Sequence, residues 1–365
     1  LIQVASWHWI FLINVPLGII ALVYAGLVLA KDAPEPSESF DFLGMVLMSP
    51  GLALFLYGVS SIPSEGTAAA PKVWGPMLGG AVLMALFVLH SFRPQHPLLD
   101  LRLFHNRNLA LAVITMFLFA GAFFGGLLLV PTYFQEVRGE STLHAGLLVA
   151  PQGIGAMVTM PIAGALADRL PIGRIVPVGI AVILVGLLGL TQVGPHTSYT
   201  FLIGTLFVMG LGMGGTMMPL FTAALKVLRH HEVARGSTLL NITQQVASSC
   251  GVALMSVLLT NHLNSSPTIP GSNHIPQLPG GLTEAGAAIM HSTRPSAFGQ
   301  LAAALHITPQ MLASGLDQAA TAFAHTYWVA WALVALTLVP ALMLPKRKAT
   351  EPEGEAPAEV PVPMH

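Results

Sequence analysis

The chain has 365 residues, 54% of them hydrophobic and only 8% charged, with a mean hydropathy of +0.72. A soluble domain carries about 25% charged residues, so lipid rather than water must be the solvent for most of this surface. A lone cysteine, Cys250, excludes an internal disulfide framework and a thiolate metal cluster. Fifteen Lys+Arg against sixteen Asp+Glu leave no basic excess for nucleic acid.

Only helices or closed barrels satisfy every backbone polar group inside hydrocarbon. A barrel would show segments of about ten residues alternating in polarity. This chain shows continuous apolar runs of about twenty, the length of a spanning helix. The expected class is therefore all-α and polytopic. In chain order the predicted transmembrane helices are 10–30, 43–62, 74–92, 108–131, 144–167, 172–193, 199–222, 237–261 and 325–345, nine in all. Pro50, Pro151 and Pro161 fall inside spans, where neighbouring helices or polar side chains can satisfy the freed carbonyls.

The connections differ in kind. Residues 31–42 are rich in proline and acid, a solvated connector. Segment 93–107 mixes Leu and Phe with Arg, as an amphipathic helix on a membrane face does. The stretch 262–324 is the one long loop, with room for short helices over 283–324. Residues 346–365 form a Pro/Glu-rich tail expected to be disordered. Leu1-Ile2-Gln3 shows neither an initiator Met nor a signal-peptide pattern, and residues 1–9 read as the end of an outside loop. The expectation is a fragment whose upstream part is absent.

Basic residues favour cytoplasmic loops. One set of alternate connections, with the tail, holds Lys31, Arg93, Arg102, Arg107, Arg169, Arg174, Lys226, Arg229, Arg235, Lys346, Arg347 and Lys348; the other holds only Lys72, Arg138 and Arg294. The C-terminus is expected to be cytoplasmic and the N-terminus outside.

Span 237–261 carries Asn241, Gln244, Gln245 and Ser248 at i, i+3, i+4 and i+7, one helix face. Polar side chains facing lipid are costly, so the face is expected to meet protein or a water-filled cavity; hydrogen bonding between helices is the plainer alternative. Phe117, Phe119, Phe123 and Phe124 cluster on span 108–131, where aromatic faces can attract apolar cations or simply pack. GLGMGG (Gly210 to Gly215) echoes a dinucleotide loop but lacks the strand and soluble βαβ unit that fingerprint requires. Its glycines are expected to let helices pack closely, as are Gly121 and Gly125. His231-Glu232 is followed by Arg235, so it is not the paired-His zinc motif. No metal, no cofactor and no nucleophile–base constellation is expected, and hence no enzyme. None of the spans holds an Asp, Glu, Lys or Arg in its interior.

Several stretches resemble the fourteen-helix drug:proton antiporters of the major facilitator superfamily. WHWIFLINVPLGI (Trp7 to Ile19) is similar to that family's approach to its sixth helix, and PLLDLRLFHNRN (Pro97 to Asn108) to the linker before its ninth. PTYFQEVRGESTLHAGLLVAPQGIGAM, MGLGMGGTMMPL and ARGSTLLNITQQVASSCGVAL add weaker matches. The resemblance implies that the nine spans are helices six to fourteen, and that the early helices holding most membrane acids are missing. It also implies a loop motif in GALADRLPIGR: Gly164 for close helix approach, Asp168 near a helix N-terminus, and Arg169, Gly173 and Arg174 in a latch on the inward side. Three residues separate Arg169 from Gly173 where the family usually has one.

The expected organisation is 1–30 as the last helix of a missing bundle and 31–107 as an inserted hairpin with its linker. A six-helix bundle over 108–345 and the tail 346–365 complete it. The expected function is proton-coupled export of drugs or other amphipathic molecules by alternating access, as part of a longer chain in the cytoplasmic membrane. Asn241, Gln244, Gln245, Ser248, Gln152, Phe117 and Phe124 are the candidate substrate pathway. Partners are then a small-molecule substrate, protons and the bilayer, with no nucleic acid. The alternatives are a carrier of a specific metabolite or lipid precursor, or a membrane sensor or assembly partner without transport.

Overall fold

The computed structural model describes residues 12–28, 41–62, 69–93, 101–226, 228, 233–264 and 309–345. The elements in chain order are α1 (Asn14–Val28), α2 (Phe42–Ser60), α3 (Pro71–Ser91), a 3-10 turn (Leu101–His105), α4 (Arg107–Glu136) and α5 (Thr142–Arg169). Then follow α6 (Ile172–Leu190), α7 (Tyr199–Lys226), α8 (Val233–Asn264) and α9 (Pro309–Leu342). The described residues contain no strand, so the all-helical class holds. Among the described residues eight helices, α2 to α9, are long and apolar enough to cross a membrane. The ninth expected span, 10–30, is described only as the 15-residue α1, and its ends lie outside the described residues.

The boundaries depart from the apolar runs where helix formation does not depend on apolarity. Helix α9 begins at Pro309, not 325. Its first half is alanine-rich, with proline in the first helical position, so propensity carries the helix beyond the membrane run. Helix α4 continues through Pro131 to Glu136. The long loop expected over 262–324 thus loses both ends to helices. Its remainder, 265–308, lies outside the described residues, as do 29–40, 63–68, 94–100 and the tail.

Side chains satisfy several helix starts. Asn106 caps α4 by accepting from the amides of Asn108 and Leu109 at 3.0 and 3.4 Å. Ser141 caps α5 by accepting from the His144 amide at 3.3 Å, an orphan donor otherwise. Between α4 and α5, Gly139 turns the chain with φ of 66°, the left-handed region that glycine enters without a Cβ penalty.

Two compact units divide the chain: α1 lies in one, and every later element in the other. In α1 no described residue is buried. In the second unit α2 pairs with α3, and this hairpin meets α8, where Met48 and Phe87 bury against Leu239. Helices α4 to α9 pack as two sets of three with matching partners. Helix α4 lies chiefly on α8 and α9, α7 chiefly on α5 and α6, and α6 meets α9. Exchanging the triplet α4–α5–α6 for α7–α8–α9 maps each of these contacts onto another or onto itself, the signature of an internal repeat. Lipid supplies no hydrophobic drive between helices, so close packing and interhelical hydrogen bonds must hold them. The main core runs through Phe119, Phe123, Tyr133, Phe134, Phe323 and Tyr327. Trp331 Nε1 donates to the Leu184 carbonyl at 3.1 Å and ties α9 to α6.

Candidate functional site

The candidate residues fall into three places. The first is the crossing of α4 and α8. A Cβ placed on Gly121 would lie 3.1 Å from the Ala247 carbonyl oxygen, and one on Gly125 would lie 2.6 Å from that of Gly251. Small residues permit such backbone contact, and at Gly125 a Cβ would force the helices apart. On α8, Asn241 and Gln245 are exposed and Gln244 is half-buried. On α4, Phe117 is 42% exposed and Phe124 half-buried, about one and three helical turns along one face from Ile114, which is exposed too. Phe119 and Phe123 are buried and stack at 5.3 Å, while Phe124 meets Phe123 edge-on at 5.6 Å. The register of the crossing, Gly121 on Ala247 and Gly125 on Gly251, sets Phe117 near the level of Asn241 and Gln245 and Phe124 further along. Ser248, seven residues on from Asn241, is half-buried. It donates to the Gln245 carbonyl at 3.0 Å and lines a cavity of about 190 Å³ with Ser60 of α2 and Ser249, Val252 and Ala253.

The second place is the crossing of α5 and α7. Here a Cβ on Gly210 would fall on the Gln152 carbonyl, and one on Gly214 would lie 2.7 Å from the Ala156 carbonyl oxygen. Both glycines belong to GLGMGG, whose role here is close packing. Thr159 Oγ1 donates across the seam to the Leu211 carbonyl at 2.9 Å. Gln152 is 4% exposed, yet neither its amide nitrogen nor its oxygen has a hydrogen-bond partner among the described residues. A buried amide without a partner costs roughly 2–7 kcal/mol, so this position is energetically conspicuous.

The third place is the α5–α6 connection. Arg169 and Arg174 are exposed; the side chain of Asp168, on the last turn of α5, lies outside the described residues. Gly164 does not make the expected close helix approach: no heavy atom lies within 4 Å of its added Cβ. The reason is that α5 packs chiefly on α7, and the turn holding Gly164 does not face it. Gly173 makes a close approach instead. Its Cβ would lie 2.5 Å from the Leu344 carbonyl oxygen, and its amide donates to the Pro345 carbonyl at 3.2 Å. Leu344 and Pro345, just after α9, thus seat on the start of α6.

Two polar clusters escaped the sequence reading. At the end of the bundle holding the α4–α5 and α6–α7 connections, Tyr133 Oη donates to the Gly194 carbonyl at 2.7 Å. Arg138 Nη1 donates to the Thr197 carbonyl at 2.7 Å and lies 4.4 Å above the Tyr199 ring. Tyr199 Oη donates to Glu140 at 2.5 Å, and Glu140 also meets His144 Nδ1 at 3.1 Å. Burial opposes the Arg138 charge, but the hydrogen bonds and charges of Tyr199 and Tyr133 outweigh it and raise its pKa. At the hairpin, Asp41 accepts from the Gly44 amide at 2.8 Å and lies 2.9 Å from His90 Nε2, its side chain only 5% exposed. In both clusters the partners are at least 49 residues apart in at least one contact. Only Glu140 and His144, at i, i+4, left a local signal. No group of three or more His, Cys, Asp or Glu suited to a metal occurs among the described residues.

The Major Facilitator Superfamily profile matches residues 1–252. A relative, the multidrug resistance protein B homolog of Mycobacterium tuberculosis (strain ATCC 25618 / H37Rv), is 44% identical over 96% of this chain and 63% of its own length. The drug efflux pump JefA of the same species (strain CDC 1551 / Oshkosh) is 30% identical over 74% of this chain and 53% of its own. A solved bacterial homolog of the human lysosomal transporter Spinster aligns over 84% of this chain and 69% of its own at 16% identity, with a TM-score of 0.44. The chain spans less than two thirds of the length of these curated relatives. With the profile covering more than half of it, this multi-pass chain belongs to the Major Facilitator Superfamily.

Proposed function

We propose that the chain forms a cavity-bearing part of a longer exporter of amphipathic drugs, coupled to protons and working by alternating access in the cell membrane. One observation carries the reading: exposed amides on α8, Asn241 and Gln245, sit on a predominantly apolar membrane bundle. Polar groups at membrane depth are costly against lipid and mark a pathway or a protein contact. The rings of Phe117 and Phe124 add surfaces suited to aromatic or cationic compounds. The names of the relatives, a multidrug resistance protein and a drug efflux pump, support the substrate class.

In this reading the pathway comprises Asn241, Gln244, Gln245, Ser248, Gln152, Phe117 and Phe124. The α5–α6 loop, with Asp168, Arg169, Gly173 and Arg174, closes the cytoplasmic side. The basic asymmetry of the connections supports a cytoplasmic C-terminus. Because the apolar runs read from the sequence hold no interior acid, proton coupling in this reading falls to the part of the longer relatives that this chain does not span.

The test is export by the complete protein in cells without their own efflux pumps. A fluorescent amphipathic cation should leave wild-type-expressing cells, and an uncoupler that collapses the proton gradient should stop it. Export that continues after uncoupling would remove the proton; no export at confirmed membrane levels would remove the drug-exporter reading. Asp168→Asn should impair export at unchanged protein level if the loop gates.

A further inference from the structure

We infer that Gln152 is a hydrogen-bonding contact for the exported compound, concealed by the present packing of α5 on α7; this rests on the transport reading above. Its side chain is 4% exposed, with both amide atoms unpartnered among the described residues. A group that finds no partner in one packing arrangement is available to a partner that arrives in another. The surroundings permit such a change. On α5 Gly153, Gly155 and Ala156 are small, whereas Leu148 and Val149 lie one turn before it, so its three rotatable bonds have room towards Gly153 and Ala156 and not towards the preceding turn.

Pro151 has no amide hydrogen to give the Leu147 carbonyl, which softens the helix at this turn. A Cβ on Gly153 would meet nothing within 4 Å, and Ile154 and Met157 beside it are exposed. An open face therefore lies one residue step from the buried amide, about 100° around the helix. The Thr159 bond to the Leu211 carbonyl anchors α5 on α7 two turns further on and confines the change to the turn around Pro151. The ligand class follows from the chemistry. A carboxamide donates and accepts without charge, so Gln152 selects compounds bearing hydroxyl or carbonyl groups and is indifferent to bare aromatic cations.

Two compounds and two variants test this in the complete protein. Doxorubicin carries hydroxyl and carbonyl groups; tetraphenylphosphonium carries none. Gln152→Met, which keeps length and removes the amide, should lower doxorubicin export about fivefold, the worth of one net hydrogen bond. Tetraphenylphosphonium export should stay unchanged. In a Cys250→Ala background, Gln152→Cys should react with a membrane-permeant maleimide during transport, and doxorubicin should slow that reaction. A cysteine that never reacts, or equal effects of Gln152→Met on both compounds, overturns the inference while leaving transport standing. Wild-type protein that exports neither compound sinks the transport reading and this inference with it. If Gln152→Met does not reach the membrane, the maleimide reaction alone decides.

Discussion

Where α4 crosses α8, backbone meets backbone through Gly121, Gly125 and Gly251, and the residue beside the crossing is Ala247. Where α7 crosses α5, Gly210, Gly214 and Gly155 do the same, and the residue beside the crossing is Gln152. The internal repeat places these crossings in corresponding positions. What differs is the residue left beside the glycines and the support behind each seam. Helix α8 is held by α4, α9 and the hairpin, whereas α5 leans chiefly on α7. Glycine at a crossing fixes how near two helices come. Its neighbour decides whether the seam is chemically inert or carries a group that can act.

The comparison can be broken by adding volume. Gly251→Val places a branched side chain on the Gly121 carbonyl, with α8 supported on other sides and unable to retreat. The expected cost is about 3 kcal/mol or more, read as loss of monodisperse protein in detergent. Gly210→Ala puts one methyl on the Gln152 carbonyl; α5 has an open face and can yield, so the expected cost is about 1–2 kcal/mol. Equal losses of thermal stability for these two variants, or the reverse order, would refute the difference in support.

Finer changes sharpen it. Thr159→Val keeps shape and removes the bond to the Leu211 carbonyl, a side-chain tie across the α5–α7 seam. Interhelical bonds of this kind average about 0.6 kcal/mol and reach about 1.7; a small drop in melting temperature should follow. Gly164→Ala meets open space and should be neutral or stabilising by up to about 1 kcal/mol, since alanine favours the helix. A clear loss of stability there would show that Gly164 packs after all.

Spans α2 to α8 were legible because a membrane helix must be apolar over its whole length, and that property is local. The start of α9 was not, because residues such as Ala319 and Gln310 form helix without being strongly hydrophobic. The amide face of α8 could be read from spacing alone, since Asn241 and Gln245 lie four apart. The partnerships that fix the bundle could not. Tyr133 finds its acceptor at Gly194 and Thr159 at Leu211, 61 and 52 residues away, and nothing in either neighbourhood names the other. Gln152 was visible as a polar residue in an apolar run; that its amide would lie buried and unpartnered depends on α7.

The α2–α3 hairpin meets the bundle along α8, chiefly through Met48, Phe87 and Leu239. Of the six helices from α4 onward, it is chiefly α8 that the hairpin supports. A two-helix unit also crosses the bilayer an even number of times, so inserting or deleting it leaves the sidedness of every later segment unchanged. In parity, if not in packing, such a pair is neutral: a gene could acquire or lose two spans in one step without turning the rest of the protein inside out.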